Sequence, residues 1–348
     1  MRSSTHTAAV VNASGDVEVK KIPVPHAGED EVLVRVVAAA LNPTDWKTPK
    51  IWANKPGTVA GHDFAGVVEE LGPRSGVSRW KVGDRVAAYV NGARAANGSF
   101  AEYVVARADL CISLPELWTF EQGAQLGLAI YTAFQTLYQS LDLPTPYAEI
   151  PQAVSLLIYG ASSAVGLYVT QIAKASGFHV YAVCSPKNYE LVTSLGAHAT
   201  FDYRDPDVSN KIKTASEGKI KVAVDTISEQ GSVKIIVPAL SSEGGKIATI
   251  LPYSDEDIAA LGPNVTHWMS SAYDLNEDLP GAPSRLADAP RYCRLATQLL
   301  AEGKVKPTPI RVWPNGLLGI NDAMQYMMDG KVSGEKIVFR IADTPGLG

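Results

Sequence analysis

The segment Val154–Arg204, VSLLIYGASSAVGLYVTQIAKASGFHVYAVCSPKNYELVTSLGAHATFDYR, constrains the fold of this 348-residue chain more than any other. It opens with a short apolar strand pattern over Val154–Tyr159. A turn of small residues follows, Gly160-Ala161-Ser162-Ser163-Ala164-Val165-Gly166. An apolar-periodic helix then runs to near Gly177, and a second strand pattern over His179–Cys184 closes the unit. Strand, tight turn, helix and strand make the βαβ unit that holds a dinucleotide pyrophosphate. Small residues let the backbone approach phosphate, and the helix start supplies free N–H groups and a partial positive charge. The spacing Gly160-x5-Gly166 is not the strict G-x-G-x-x-G, so the flanking strand and helix carry this reading more than the glycines do.

The end of the second strand separates two cofactors. An NAD-binding unit places Asp or Glu there for the ribose 2′-OH. Here the position reads Cys184-Ser185-Pro186-Lys187-Asn188, without a carboxylate, and Tyr203-Arg204 follow the next short strand. Hydroxyls, an amide and cations suit a 2′-phosphate that a carboxylate would repel. The pattern therefore points to NADPH.

The length allows two ordinary domains, and 46% hydrophobic with 19% charged residues suits large buried cores. A net charge of -5 without a long basic run argues against nucleic acid and anionic membrane surfaces as partners. No window approaches a membrane span, and the N-terminal MRSSTHTAAVVNASG has no secretory pattern. Cys111, Cys184 and Cys293 lie far apart and form no C-x-x-C, so free thiols in a reducing, cytoplasmic setting are expected.

The first 125 residues are strand-rich, with candidates at Thr7–Val11, Val17–Ile22, Glu31–Ala40, Gly66–Leu71 and Arg85–Tyr89. Many short strands broken by Gly, Pro and Asp suggest a partly closed barrel. After the βαβ unit, helix and strand patterns alternate to Leu251, which predicts an α/β chain with a doubly wound parallel sheet. Pro252–Pro290 reads as an irregular excursion near the ligand. The expected division is a β-rich domain over 1–127 and 304–348, interrupted by a nucleotide-binding domain over 128–303.

Several motifs stand in order along the chain: Leu41-Asn42-Pro43-Thr44-Asp45, Gly61-His62-Asp63-Phe64-Ala65-Gly66-Val67-Val68, Lys81-Val82-Gly83-Asp84-Arg85-Val86, Gly98-Ser99-Phe100-Ala101-Glu102-Tyr103 and Val332-Ser333-Gly334-Glu335-Lys336. Together they resemble the medium-chain dehydrogenase/reductase superfamily. The resemblance implies a GroES-like catalytic barrel interrupted by a Rossmann domain, with hydride transfer from a nicotinamide in the cleft between them. Within it, Asn42-Pro43-Thr44-Asp45-Trp46-Lys47, Ser185-Pro186-Lys187-Asn188-Tyr189 and Phe201-Asp202-Tyr203-Arg204 resemble the trans-acting enoyl reductases that partner fungal polyketide synthases, of the lovastatin-pathway type. That group implies Thr44, Asp45 and Lys47 beside the cofactor, and Gly160, Ser162, Ser163, Ala164 and Val165 around its pyrophosphate. It implies Ser185, Lys187, Asn188 and Tyr203 at the 2′-phosphate, Ile250 and Leu251 along the nicotinamide, and Ser333 and Gly334 closing over it. Ala129, Ile130, Tyr131, Thr132, Ala133 and Phe134 correspond to the substrate-facing region. Tyr131 and Phe134 are bulkier than a wide acyl channel would carry.

Zinc-dependent members of the superfamily use a Cys near the Asn42 position. Asn42, a lone His62 and Asp63 do not supply three convergent ligands. A zinc-independent reductase is therefore expected, with His62 as a hydrogen-bonded interior residue. Hydride addition to a conjugated C=C bond leaves an enolate that needs donors and then a proton; Lys47 and Tyr131 are the two candidates for that work, and Lys47 also suits the cofactor ribose. The implied substrate is a small molecule or a carrier-protein-bound acyl chain, with a polyketide synthase as partner and a monomer as the oligomeric state. A quinone or enone oxidoreductase is the neighbouring reading. A non-redox isomerase, cyclase or partner subunit that keeps the fold is the reading from another class.

Overall fold

The helix–strand alternation in the middle of the chain folds as its period predicts. The computed structural model describes residues 3–74, 79–150, 152–229, 231–279 and 283–347. Strands Ser155–Tyr159, His179–Val183, Ala199–Phe201, Val222–Asp225, Gly245–Thr249 and Val265–Met269 form one sheet. Every neighbouring pair is parallel. Numbered in chain order, these strands lie 3-2-1-4-5-6 across the sheet. Such a sheet binds its ligand outside the carboxyl ends of the strands, where the order reverses between the first and the fourth. Helices Ala164–Ala175, Tyr189–Leu195, Val208–Ala215 and Val233–Ala239 make the crossovers. Leu157, Val183, Ile212, Ala223, Ile236 and Ile247 fill the core on one side. Burial on both faces is why these strands read as apolar runs.

The sixth strand corrects the sequence reading of Pro252–Pro290. That stretch contains a helix, Asp255–Ala260, the strand Val265–Met269 and single-turn helices at Ala272–Leu275 and Leu286–Asp288; positions 280–282 lie outside the described residues. The strand was hard to read because it is the outermost of the sheet and half exposed, with Trp268 and Met269 open to solvent. It forms one edge of the sheet.

The other part of the chain is antiparallel in the main. Strands Thr5–Val11 and Val17–Pro23 pair as a ribbon. A larger sheet runs in the order Ile310–Trp313, Lys336–Arg340, Glu31–Ala40, Asp63–Leu71, Arg85–Tyr89 and Ile112–Ser113, with Tyr103–Arg107 also on Glu31–Ala40. Register shifts at Leu33/Val34 and Val36/Ala38 bend the central pair. Val34, Phe64, Ala88, Phe100 and Phe339 build the core beneath it.

The chain divides into two units, 1–128 with 273–302 and 307–348, and 129–272 with 303–306. The segment Tyr273–Glu302, assigned from sequence to the nucleotide-binding domain, belongs to the first unit. Its bonds explain the difference. Arg107 donates to the Leu275 carbonyl at 2.9 Å, Arg94 pairs with Glu277 at 3.0 Å, and the Cys293 thiol donates to the Cys111 carbonyl at 2.8 Å. Apolar periodicity shows that helix Ala289–Ala301 has a buried face, but not which core receives it.

Candidate active site

In the second unit the turn after the first strand is shaped by two glycines. Gly160 has φ +75°, and a Cβ there would meet Thr226 Oγ1 at 2.6 Å. A Cβ on Gly166 would lie 2.4 Å from the Gly160 carbonyl oxygen, so the helix could not start so close to the strand. Ser163 caps the helix: its Oγ accepts from the Gly166 N–H at 2.9 Å and donates to Thr226 Oγ1 at 2.9 Å. Its hydroxyl, expected at the pyrophosphate, is engaged inside the turn in this structure. The N–H groups of Ala164 and Val165 find no acceptor among the described residues, and both residues are half-buried, as is Ser162. This is a cradle of small residues and open N–H groups suited to an anion.

Ser185, Lys187 and Asn188 follow the second strand and Tyr203 follows the third. The two loops are neighbours, tied by Cys184 N–H donating to the Phe201 carbonyl at 3.0 Å. Lys187 is exposed, Tyr203 is 42% exposed and Asn188 is buried. The one carboxylate between these loops, Asp202, is closed off by Arg204, with Nε–Oδ1 and Nη2–Oδ2 both 3.0 Å. That pairing holds the Asp202 carboxyl below its ordinary value. What is left facing outward is a hydroxyl, an ammonium and a phenol, a donor set that fits a phosphate.

Sequence reasoning missed Asp225, at the end of the fourth strand beside the strand-order reversal. Its buried carboxylate accepts from Ser232 Oγ at 2.5 Å, Tyr253 OH at 2.9 Å and the N–H groups of Ile227 and Ser228 at 3.0 and 2.8 Å. Burial raises its pKa against the pull of these donors. Ser228 Oγ then accepts from the Ile250 N–H at 3.1 Å, which fixes Ile250 and half-buried Leu251 beside this end of the sheet. The available signal was a carboxylate closing an apolar strand, Val222-Ala223-Val224-Asp225.

The first unit holds a buried polar cluster built from three of the quoted motifs. Asp63 accepts from Asn42 Nδ2 at 2.8 Å, from Lys336 Nζ at 3.0 Å and from the Leu128 N–H at 2.7 Å, and Lys336 also reaches Asn42 Oδ1 at 2.5 Å. Beside it, Asp45 faces His62 Nδ1 at 2.5 Å and accepts from the Asn42 N–H at 2.6 Å. The other ring nitrogen of His62 is 3.1 Å from Tyr273 OH, and Tyr273 also bonds Thr44, itself 3.1 Å from Thr48. Asp45, implied beside the cofactor, is fully buried with both carboxylate oxygens engaged on His62 and the Asn42 N–H. Thr44 and Lys47 are half-buried, as is Ser333; Gly334 takes φ +70° and is buried.

These residues do not fit a catalytic zinc. Both nitrogens of His62 are engaged, and the Lys336 ammonium occupies the carboxylate that a metal would need. No group of three or more His, Cys, Asp or Glu among the described residues converges as a metal site. Metal analysis of the purified protein is expected to find far less than one zinc per chain, with activity unaffected by chelators. Stoichiometric zinc, lost together with activity, would overturn this.

The Ala129–Phe134 segment, expected to face substrate, lies in the interior. All six side chains are buried, Tyr131 and Phe134 at 0% exposure, and Phe134 stacks on Tyr138 with centroids 6.0 Å apart. The segment lies on the helix Gly127–Phe134, which continues as a π-turn over Gln135–Ser140. Tyr131, one of the two residues expected to serve the enolate, is thus enclosed with its five neighbours in this segment.

Two family models match the chain: the alcohol dehydrogenase GroES-like domain over residues 28–116 and zinc-binding dehydrogenase over 164–260. The trans-enoyl reductase ACTTS2 of Alternaria alternata is 37% identical over 343 residues, which cover 97% of this chain and 99% of that protein. The chain belongs to the trans-enoyl reductase family. Another trans-enoyl reductase, resD of Aspergillus sclerotiorum, is 38% identical across 92% of this chain and 95% of its own. The fold is shared with an alcohol dehydrogenase superfamily protein from Novosphingobium aromaticivorans, at 26% identity and a TM-score of 0.81 over 97% of this chain and 99% of that one. The family and its medium-chain dehydrogenase/reductase fold are those that the ordered motifs announced. No helix among the described residues is long and apolar enough to cross a membrane.

Proposed function

We propose that this trans-enoyl reductase uses NADPH to reduce the conjugated C=C bond of an enoyl thioester carried by a polyketide synthase. The observation that supports the cofactor reading most is the anion cradle at Gly160–Gly166 beside a loop pair whose single carboxylate is already paired. The backbone of Ala164 and Val165, with Ser162, would hold the pyrophosphate. Ser185, Lys187, Asn188 and Tyr203 would hold the 2′-phosphate. Ile250, Leu251, Ser333 and Gly334 would flank the nicotinamide, with Thr44 and Lys47 on its ribose. Bound there, the cofactor supplies a hydride for the β-carbon. The protein's part is to hold substrate against it and to donate hydrogen bonds to the carbonyl oxygen on which charge develops. Lys47 is the donor we assign to that oxygen when it is not on the ribose.

A panel of enoyl thioesters, free enones and quinones, followed by NADPH absorbance, tests this reading. Consumption with enoyl thioesters, fastest on a carrier protein, is expected. Turnover of quinones alone would move the chain to the quinone oxidoreductases. Tight NADPH binding without consumption on any member would place it among non-redox users of the fold.

A further inference from the structure

We propose that the hydroxyl of Tyr273 gives the α-carbon its proton, and that His62 and Asp45 behind it restore that proton between turnovers. The inference rests on the enoyl-reductase reading above. Four side chains form one line of hydrogen bonds: Asp45 to His62 Nδ1 at 2.5 Å, His62 Nε2 to Tyr273 OH at 3.1 Å, and Tyr273 OH to Thr44 Oγ1. The inner end is sealed, with Asp45 and His62 both at 0% exposure, whereas Tyr273 and Thr44 are half-buried. The line therefore runs from the interior to a hydroxyl pair at the margin of the unit. Tyr273 is also the residue at which the chain re-enters the first unit, as Leu128 is where it leaves. Leu128 is held by Asp63, next in sequence to His62.

Two further contacts suit Tyr273 to the role. The Arg94 guanidinium lies 4.1 Å from the centre of its ring, and this cation favours the phenolate that remains when the proton leaves. Burial acts the other way and raises the Tyr273 pKa, which favours return of a proton to the phenolate. Stability does not account for the cluster, because buried ionisable pairs add little over apolar packing of the same volume.

The step balances within the reading already given. As the β-carbon gains the hydride, the C=C electron pair moves onto the α-carbon and carbonyl oxygen as an enolate. The α-carbon forms its C–H bond with the Tyr273 proton as the O–H bond breaks. The phenolate takes the Nε2 proton of His62, while Asp45 accepts from Nδ1–H and holds the ring. After product leaves, Tyr273 passes its proton back to His62 Nε2 and takes one from water.

The test is Tyr273→Phe, which keeps the ring beneath Arg94 and removes only the hydroxyl. In D2O the wild-type enzyme is expected to place deuterium on the α-carbon in one configuration. The variant is expected to lose roughly 100-fold in kcat, the scale of a general acid, and to give both configurations. Its NADPH affinity, titrated without substrate, is expected to stay within about twofold, with a changed His62 Nε2 resonance in the NMR spectrum of the resting protein. Near-normal kcat with a single configuration would overturn the proposal. Should Tyr273→Phe not fold, His62→Gln carries the test: slower turnover with the configuration kept is expected, and unchanged turnover would overturn it. A wild-type enzyme that reduces no enoyl thioester would instead overturn the functional reading.

Discussion

Lys336→Met is expected to lower folding stability by about 3–5 kcal/mol, the scale for removing one partner of a buried ion pair. Lys336 is 4% exposed and its ammonium lies 3.0 Å from Asp63, which is fully buried. Methionine fills much the same volume, so the loss reports charge more than packing. Among the described residues it leaves the Asp63 carboxylate with Asn42 Nδ2 and the Leu128 N–H as partners. Adding Asp63→Asn removes the orphaned charge while keeping an acceptor for Leu128, and is expected to recover part of the loss. Urea unfolding of the two variants measures both effects. A change below about 1 kcal/mol for Lys336→Met would show the pair to be hydrated like a surface ion pair.

The double variant Lys187→Ala, Tyr203→Phe is expected to weaken NADPH roughly tenfold to a hundredfold and to leave NADH nearly unchanged. A hydrogen bond to a charged group contributes about 1.5–3 kcal/mol, and only NADPH carries the 2′-phosphate that would receive these. Both side chains stand on neighbouring loops without another assigned task that the substitutions would disturb, and Tyr203 is 42% exposed. Fluorescence titration of the two cofactors measures the difference. Equal losses would mean that the loops hold the adenosine as a whole.

The parallel sheet was legible because fully buried strands leave unbroken apolar runs, and Glu31–Ala40 and Arg85–Tyr89 were legible to the residue because turn-forming residues break the chain beside them. The tight turn between the first strand and helix of the sheet was legible because Gly160 and Gly166 stand where no Cβ fits. Pairings between distant residues leave no such trace. Nothing in the periodicity joins Tyr273 to His62 across 211 positions, or Lys336 to Asp63 across 273. Likewise Asp45 sits in a motif beside Thr44, yet the helix turn points one carboxylate into the interior and leaves one hydroxyl near the surface. Burial is equally hidden from the sequence: nothing in the order Ala129–Phe134 shows that Tyr131 is fully enclosed.

Reduction of an enoyl thioester with NADPH deuterated at the transferable position of the nicotinamide tests the central claim most directly. The expected result is deuterium on the β-carbon of the saturated product, with the α-proton drawn from solvent. Saturated product without deuterium at the β-carbon, or no reduction while NADPH remains bound, would contradict it.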